Sequence, residues 1–357
     1  MRILDRYIST RFLIPFIYCL VGFSMLFVIG DLFENLDDFI ESPGWFLVAL
    51  RYYLLYIPSI FGYITAVAIL LALLSSLGLL QKYNEISAMR SAGVSVYRIS
   101  APLLLLAFLI SLAVFYVNEE VVPDALRESR ELKNQHQGAD YERVLNNVTY
   151  LNRATNQLFY FKAFRPGNNT GEGVTIHDLR ADGSPSRRIS AREAAWLDGT
   201  WWLFDGVIYS YPLNDIPIKQ DLSKKSFDFE VHPVDLVQSE EELAYRGYLE
   251  LRETLERRAG YPAVILRPMR VELQQKLALP IACLIMGMLG VTFGLKSGRG
   301  GMLAGVGISL VLSFLYYVVY SITGALGNQG YLAPWLAAWA ANIVFGGIGL
   351  WVFLRLN

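Results

Sequence analysis

The sequence predicts a polytopic α-helical membrane protein, six transmembrane helices arranged three and three, with an antiparallel, jelly-roll-like β domain inserted between the halves. Three observations carry that expectation. Of 357 residues, 54% are hydrophobic and only 18% charged, too apolar a balance for an ordinary soluble domain. Uncharged stretches at 12–30, 52–80, 99–117 and 277–295, with an unbroken run at 300–354, are long enough to cross a hydrocarbon core as helices. The intervening residues 118–276 hold 25 of the 32 acids and 21 of the 31 bases, the composition of a folded polar domain.

The first half, 1–117, contains spans at 12–30, 52–80 and 99–117. Arg2, Arg6 and Arg11 ahead of an apolar run resemble the start of a signal peptide. The run from Phe12 to Gly30, however, leads into Asp31-Leu-Phe-Glu34 rather than a small-residue cleavage site, so it reads as a retained span. Segments 1–11, 81–98, 296–299 and the C-terminal tail fall on one side and carry nine bases against two acids, whereas 31–51 carries five acids and one Arg. The excess of positive charge places the termini and the 81–98 loop in the cytoplasm.

Residues 118–275 then lie outside, and their pattern is mostly strand. Leu158–Phe164 and Val174–His177 are apolar and aromatic, and Ala194–Leu197 and Thr200–Phe204 flank Asp198-Gly199, the strongest hairpin signal in the chain. Phe227, Phe229 and Val231 alternate with polar residues, predicting a further strand over Ser226–Val231. Helices frame the domain: 118–137 continues span three with a Pro123 kink, and Ser239-Glu-Glu-Glu242 opens 239–259 as a capping box. The second half, 276–357, supplies spans at 277–295, 302–326 and 333–354, the last two separated at Gly327-Asn328-Gln329-Gly330.

Several chemistries are excluded. A net charge of −1 leaves no electrostatic footprint for nucleic acid. Cys19 and Cys283 fall inside spans, and His136, His177 and His232 are scattered, so no metal-ligand spacing is present. Gly290-Val-Thr-Phe-Gly-Leu-Lys-Ser297 lacks the Gly-Lys pair and preceding strand of a phosphate loop; its small residues suit close helix packing. No catalytic motif stands out, and the chain reads as a non-enzyme.

The cytoplasmic loop 81–95 is more informative. Ile86, Met89 and Ala92 or Gly93 recur at helical spacing, Glu85 sits in the first turn and Gly93 suits the end, which predicts a short amphipathic helix across the membrane face. Such a helix is either an interfacial connector or a coupling helix for a cytoplasmic partner; Ala88, Ser91 and Ala92 make it small-faced and favour the partner. Phe159, Phe161, Trp196, Trp202 and Phe204 in the β domain are read either as core or as the lining of an acyl-chain groove.

Leu4-Asp-Arg-Tyr-Ile8, Asn84-Glu-Ile-Ser-Ala-Met-Arg-Ser-Ala-Gly93, Leu251–Gly260, Lys276-Leu-Ala-Leu-Pro280 and Leu332–Trp339 followed by Asn342 resemble the lipopolysaccharide-export permeases LptF and LptG, over nearly the whole chain. The opening looks more like LptG. The resemblance implies an inner-membrane half-transporter working with a homologous permease subunit, a cytoplasmic ATPase dimer and a single-span periplasmic jelly-roll partner to extract lipopolysaccharide. It also implies that this chain binds no cofactor, ATP being used by the partner. Glu85, Ile86, Met89, Arg90 and Gly93 would then form the ATPase-coupling helix. Spans one and five would form the lateral gate, with Phe12, Phe16, Phe23, Phe27, Gly301, Gly305 and Tyr316 as candidates. One departure is the acidic outer end of span one, Asp31, Glu34, Asp37 and Asp38, where family members often carry bases that meet lipid phosphates; phosphate contacts are therefore not carried over. The competing expectation is a non-transporting scaffold whose β domain binds envelope proteins.

Overall fold

A computed structural model of the chain describes residues 3–35, 45–136, 144–152, 155–180, 185–211, 218–236, 246–257, 263–296 and 301–355. These divide into a helical unit (Met1–Lys133, Gly247–Arg252 and Arg267–Asn357) and a β unit (Asn134–Arg246 and Glu253–Leu266).

The described helices are α1 (Ile3–Glu34), α2 (Trp45–Lys82), the short α3 (Glu85–Ser91), α4 (Val96–Tyr116), α5 (Val122–His136), α6 (Tyr248–Arg257), α7 (Ala263–Lys296), α8 (Gly301–Gln329) and α9 (Pro334–Phe353); the division between the units passes through α5, α6 and α7. Among the described residues six helices are long and apolar enough to span a membrane: Ile3–Glu34, Trp45–Lys82, Val96–Ser129, Leu266–Lys296, Val306–Gln329 and Pro334–Phe353. They outrun the apolar stretches because the backbone remains helical as it leaves the hydrocarbon. Between α4 and α5 lies a π turn, Val117–Val121, just ahead of Pro123, so the expected kink is absorbed by a one-residue shift in hydrogen bonding. Glu119, in that turn, accepts the backbone N–H groups of Tyr248 and Leu249 at 2.5 and 3.0 Å, capping the otherwise unpaired start of α6.

The centre of the helical unit is α2 against α7. A Cβ on Gly290 would lie 2.7 Å from Cβ of Leu73, and one on Gly294 2.7 Å from Leu77 Cδ1, so these glycines admit the leucines of α2. The segment that superficially resembles a phosphate loop is thus a packing surface. Polar groups tie the remaining helices in. Tyr316 Oη donates to Asn342 Oδ1 at 2.7 Å, Asn342 Nδ2 donates to the Ala278 carbonyl at 2.8 Å, and Ser111 Oγ donates to the Pro280 carbonyl at 2.6 Å. In an apolar surrounding these bonds have no competing water.

The β unit is one six-stranded antiparallel sheet in the order β1 (Leu145–Asn152), β2 (Gln157–Arg165), β3 (Thr170–Leu179), β4 (Pro185–Leu197), β5 (Thr200–Ser210), β6 (Ile218–Phe227). The inserted antiparallel domain is therefore present, and its described strands form a meander, without the crossovers of a jelly roll. Asp198 (φ 52°) and Gly199 (φ 77°) make the predicted two-residue turn between β4 and β5.

Pairing lapses in the same register through every strand, at Asn147, Lys162, Gly173, Arg192, Asp205 and Ser223. Buried residues flank that row three apart, Phe161 and Phe164, Gly171 and Val174, Ala191 and Ala194, where strict alternation would set them two or four apart. Gly173 and Asp205 adopt positive φ there. The row is a crease that turns both ends of the sheet towards one interior, filled by Phe161, Phe164 and Trp201.

The expected strand over Ser226–Val231 stops at Phe227, whose partner Trp201 is next to the first residue of β5, so the ladder has nothing further to pair with. The chain instead crosses the interior: Phe229 packs edge-on against Phe159 at 5.2 Å, Trp201 Nε1 donates to the Val231 carbonyl at 2.8 Å, and Asn152 Nδ2 donates to the Glu230 carbonyl at 2.9 Å. Phe159 and Phe161 are core, while Trp202 and Phe204 lie on the opposite face beneath Lys224, whose Nζ is 4.7 Å from the Trp202 ring. The Ser239–Glu242 capping box lies outside the described residues.

Candidate functional site: the short helix after span two and the open helices

Residues 85–91 form the helix α3 inside the predicted 81–95 stretch. Seven residues cannot hold a helix by themselves, so its stability is tertiary. Ile86 is buried in the helical core and Met89 packs against it. Gly93, at φ 84°, closes the helix: its N–H donates to the Arg90 carbonyl and that of Val94 to the Met89 carbonyl, at 2.9 and 3.0 Å. This is a Schellman end, and the positive φ rather than lack of space requires glycine, since no heavy atom lies within 4 Å of a Cβ built there. Glu85 occupies the first turn, where a negative charge faces the unpaired N–H groups. Ser87, Ala88, Arg90, Ser91 and Ala92 are exposed, so one face is anchored and the other is open and small.

The N-terminal end of α1 holds this loop at both ends. Tyr7 Oη donates to Glu85 Oε2 at 2.6 Å, and Arg11 Nε donates to Tyr7 Oη at 3.2 Å with its guanidinium 5.1 Å from the Tyr7 ring. Just past the loop, Arg98 Nη2 donates to both carboxylate oxygens of Asp5 at 2.9 Å. Sequence reasoning did not single out Asp5, Tyr7, Arg11 or Arg98 as site residues. Asp5 and Tyr7 lie in the Leu4–Ile8 motif, but contacts 78 and 93 positions apart leave no local periodic signal.

The candidate gate residues fall in two groups. Phe12 and Phe16 stack at 5.6 Å and are buried in the chain's own core, as is Tyr316, which is bonded to Asn342. Helix periodicity turns them inward, and the open faces of α1 and α8 carry other residues: Ile17, Tyr18, Met25 and Leu26 on one, Leu310, Val311 and Phe314 on the other. Phe23 and Phe27 are half-buried, Phe27 stacked on Tyr56 at 6.0 Å, and Gly301 and Gly305 begin α8. Even so, spans one and five are the least enclosed, with 11% and 22% of their apolar windows buried against 78% and 72% for spans two and four. At the C-terminal end of α1, Asp31 accepts a hydrogen bond from Tyr53 Oη at 2.9 Å; Asp37 and Asp38 lie outside the described residues.

Comparison with curated proteins returns no match. The family model described as "Lipopolysaccharide export system permease LptF/LptG" matches residues 6–355 without distinguishing its two members. With six described helices long and apolar enough to cross a membrane, an inserted antiparallel sheet and a match over almost its entire length, the chain belongs to the LptF/LptG family of lipopolysaccharide export permeases.

Proposed function

We propose that this permease is one half of an ATP-driven exporter that draws lipopolysaccharide from the bacterial inner membrane. A homologous permease covers the open faces of spans one and five, and a cytoplasmic ATPase dimer docks on α3. The β domain lies in the periplasm and passes lipid to a single-span jelly-roll partner and onward along a periplasmic bridge. Both termini are cytoplasmic, in keeping with the basic short segments. ATP binds the partner subunit, and its closure moves α3.

The observation that carries this reading is the geometry of α3, a short helix with one face fixed in the bundle and a small, open face, joined to one of the two least enclosed spans. Apolar faces left open across whole spans suit either lipid or another membrane helix, and family membership favours a helix. Phosphate contacts are not carried over to the acidic outer end of span one.

The test is purification from native membranes in mild detergent, with identification of co-purifying proteins and an ATPase assay. The exporter reading expects a second permease and a soluble ATPase, with Glu85→Lys abolishing hydrolysis or lipid release while membrane insertion stays normal. A chain that purifies alone through several mild detergents, with no ATPase activity, would instead be a scaffold.

A further inference from the structure

Burial along α1 is uneven. Its buried residues, Ile8, Ser9, Phe12 and Phe16, all lie in the turns next to the cytoplasmic loop. Beyond Phe16 the helix is half-buried or exposed: Cys19, Leu20 and Phe23 touch the core at its edge, and Val28 and Leu32 meet Ala49 and Tyr53 of α2 near the outer end. The firmly packed end of α1 is thus the end that holds α3. The two ties differ in kind. Asp5 with Arg98 fixes the start of α4, whereas Tyr7 with Glu85 reaches α3 itself.

We propose that Tyr7 is a positioning residue that makes α3 and the cytoplasmic end of span one move as one body, delivering displacement of the loop to the most weakly packed span. The inference rests on the exporter reading above and adds the residue that joins drive to gate. The Tyr7 hydroxyl accepts from Arg11 Nε and donates to Glu85, so the cation polarises the O–H and strengthens the bond to the carboxylate. That bond also fixes the direction in which Glu85 is presented. Charge and position are thereby separated: Glu85 supplies the charge a basic partner surface would meet, and Tyr7 supplies the mechanical link.

Two conservative variants separate them. Tyr7→Phe keeps the ring and the Arg11 stack and deletes only the hydroxyl, whereas Glu85→Gln keeps an oxygen able to accept from Tyr7 and deletes only the charge. In vesicles holding the purified complex and lipopolysaccharide, Tyr7→Phe is expected to lower lipid released per ATP hydrolysed by about tenfold, the scale of one lost charge-assisted hydrogen bond. Glu85→Gln is expected to weaken recovery of the ATPase instead. Amide exchange on the full-length chain reads the link independently of transport: Tyr7→Phe speeds exchange across 85–91 and Glu85→Gln does not. An unchanged ratio of lipid to ATP with a wild-type complex that exports overturns the proposal, as does unchanged exchange in Tyr7→Phe. If the wild-type chain recruits no ATPase, the exporter reading fails, and the exchange measurement still decides whether Tyr7 holds α3.

Discussion

Spans two and four have mean hydropathies of 2.3 and 2.1 and are largely enclosed by the chain, while spans one and five, at 2.5 and 1.8, are largely open. Greasiness therefore does not separate a packed helix from an open one. Lipid tails are as apolar as leucine, so the hydrophobic effect that buries helices in water gives little preference here, and close packing with a few polar bonds decides instead. The enclosed helices show both, in Gly290 and Gly294 against Leu73 and Leu77 and in Asn342 bonding the Ala278 carbonyl, while span five keeps such ties on its inner face alone, through Tyr316 to Asn342 and Gly327 against Ala337. On α1, nothing lies within 4 Å of a Cβ placed on Gly22 or Gly30. The sheet repeats the contrast, with Phe161, Phe164 and Trp201 inside and Trp202 and Phe204 outside.

If that division is right, the largest effect belongs to overpacking. Gly290→Leu should destabilise the helical unit by about 1–3 kcal/mol or prevent folding, whereas Gly22→Leu should leave the unfolding midpoint in detergent nearly unchanged. Equal effects would erase the distinction between the helices. Next comes Asn342→Leu, which leaves the buried Tyr316 hydroxyl without its acceptor and removes the side-chain bond to the Ala278 carbonyl, and should cost about 1–3 kcal/mol by the same measurement. Ser24, bonded only to the Leu20 carbonyl of its own helix, should tolerate alanine.

A smaller effect is expected at the loop. Gly93→Ala forces an L side chain into the left-handed region at about 1–2 kcal/mol, and should raise amide exchange over 85–91 more than it lowers global stability. The smallest tests the sheet. Burial, aided by neighbouring Arg188, holds the His177 imidazole below its ordinary value of 6.5, with Asp178 opposing, and its Nδ1 is buried without a hydrogen-bond partner. The unfolded chain therefore takes up a proton first. Stability is full above the unfolded value and declines as pH falls below 6.5, until the native imidazole also titrates. Thermal unfolding across that window, compared with His177→Gln, should show a shallower decline in the variant.

Much of this architecture is written locally. Apolar runs of sufficient length announce the spans, Asp198-Gly199 announces its turn, and the Ile86, Met89, Gly93 spacing announces α3, because each depends on residues close in sequence. What escaped depends on partners far away. The Ser226–Val231 alternation is a genuine strand pattern, but β5 starts too late to pair with its second half. Phe12, Phe16 and Tyr316 suit a gate by residue type, and the helix rotation that faces them to the chain's own core is set by packing that residue type does not reveal. Tyr7 lies in a motif that carried the family resemblance, yet its hydrogen bond to Glu85 closes a loop of 78 residues.

The order of the sheet has a consequence for how the domain is made. Every strand pairs with its immediate neighbour in sequence, so each addition closes only a short loop. A chain synthesised from its N-terminus can therefore zip up strand by strand as it emerges, each newcomer meeting an edge already in place. Phe229 and Val231, further along the chain than every described strand, then seat across the interior, with Trp201 bonding the Val231 carbonyl and Asn152 the Glu230 carbonyl. The domain thus closes its own interior with residues that lie ahead of α7, and the strands need nothing from the second set of spans to complete their ladder.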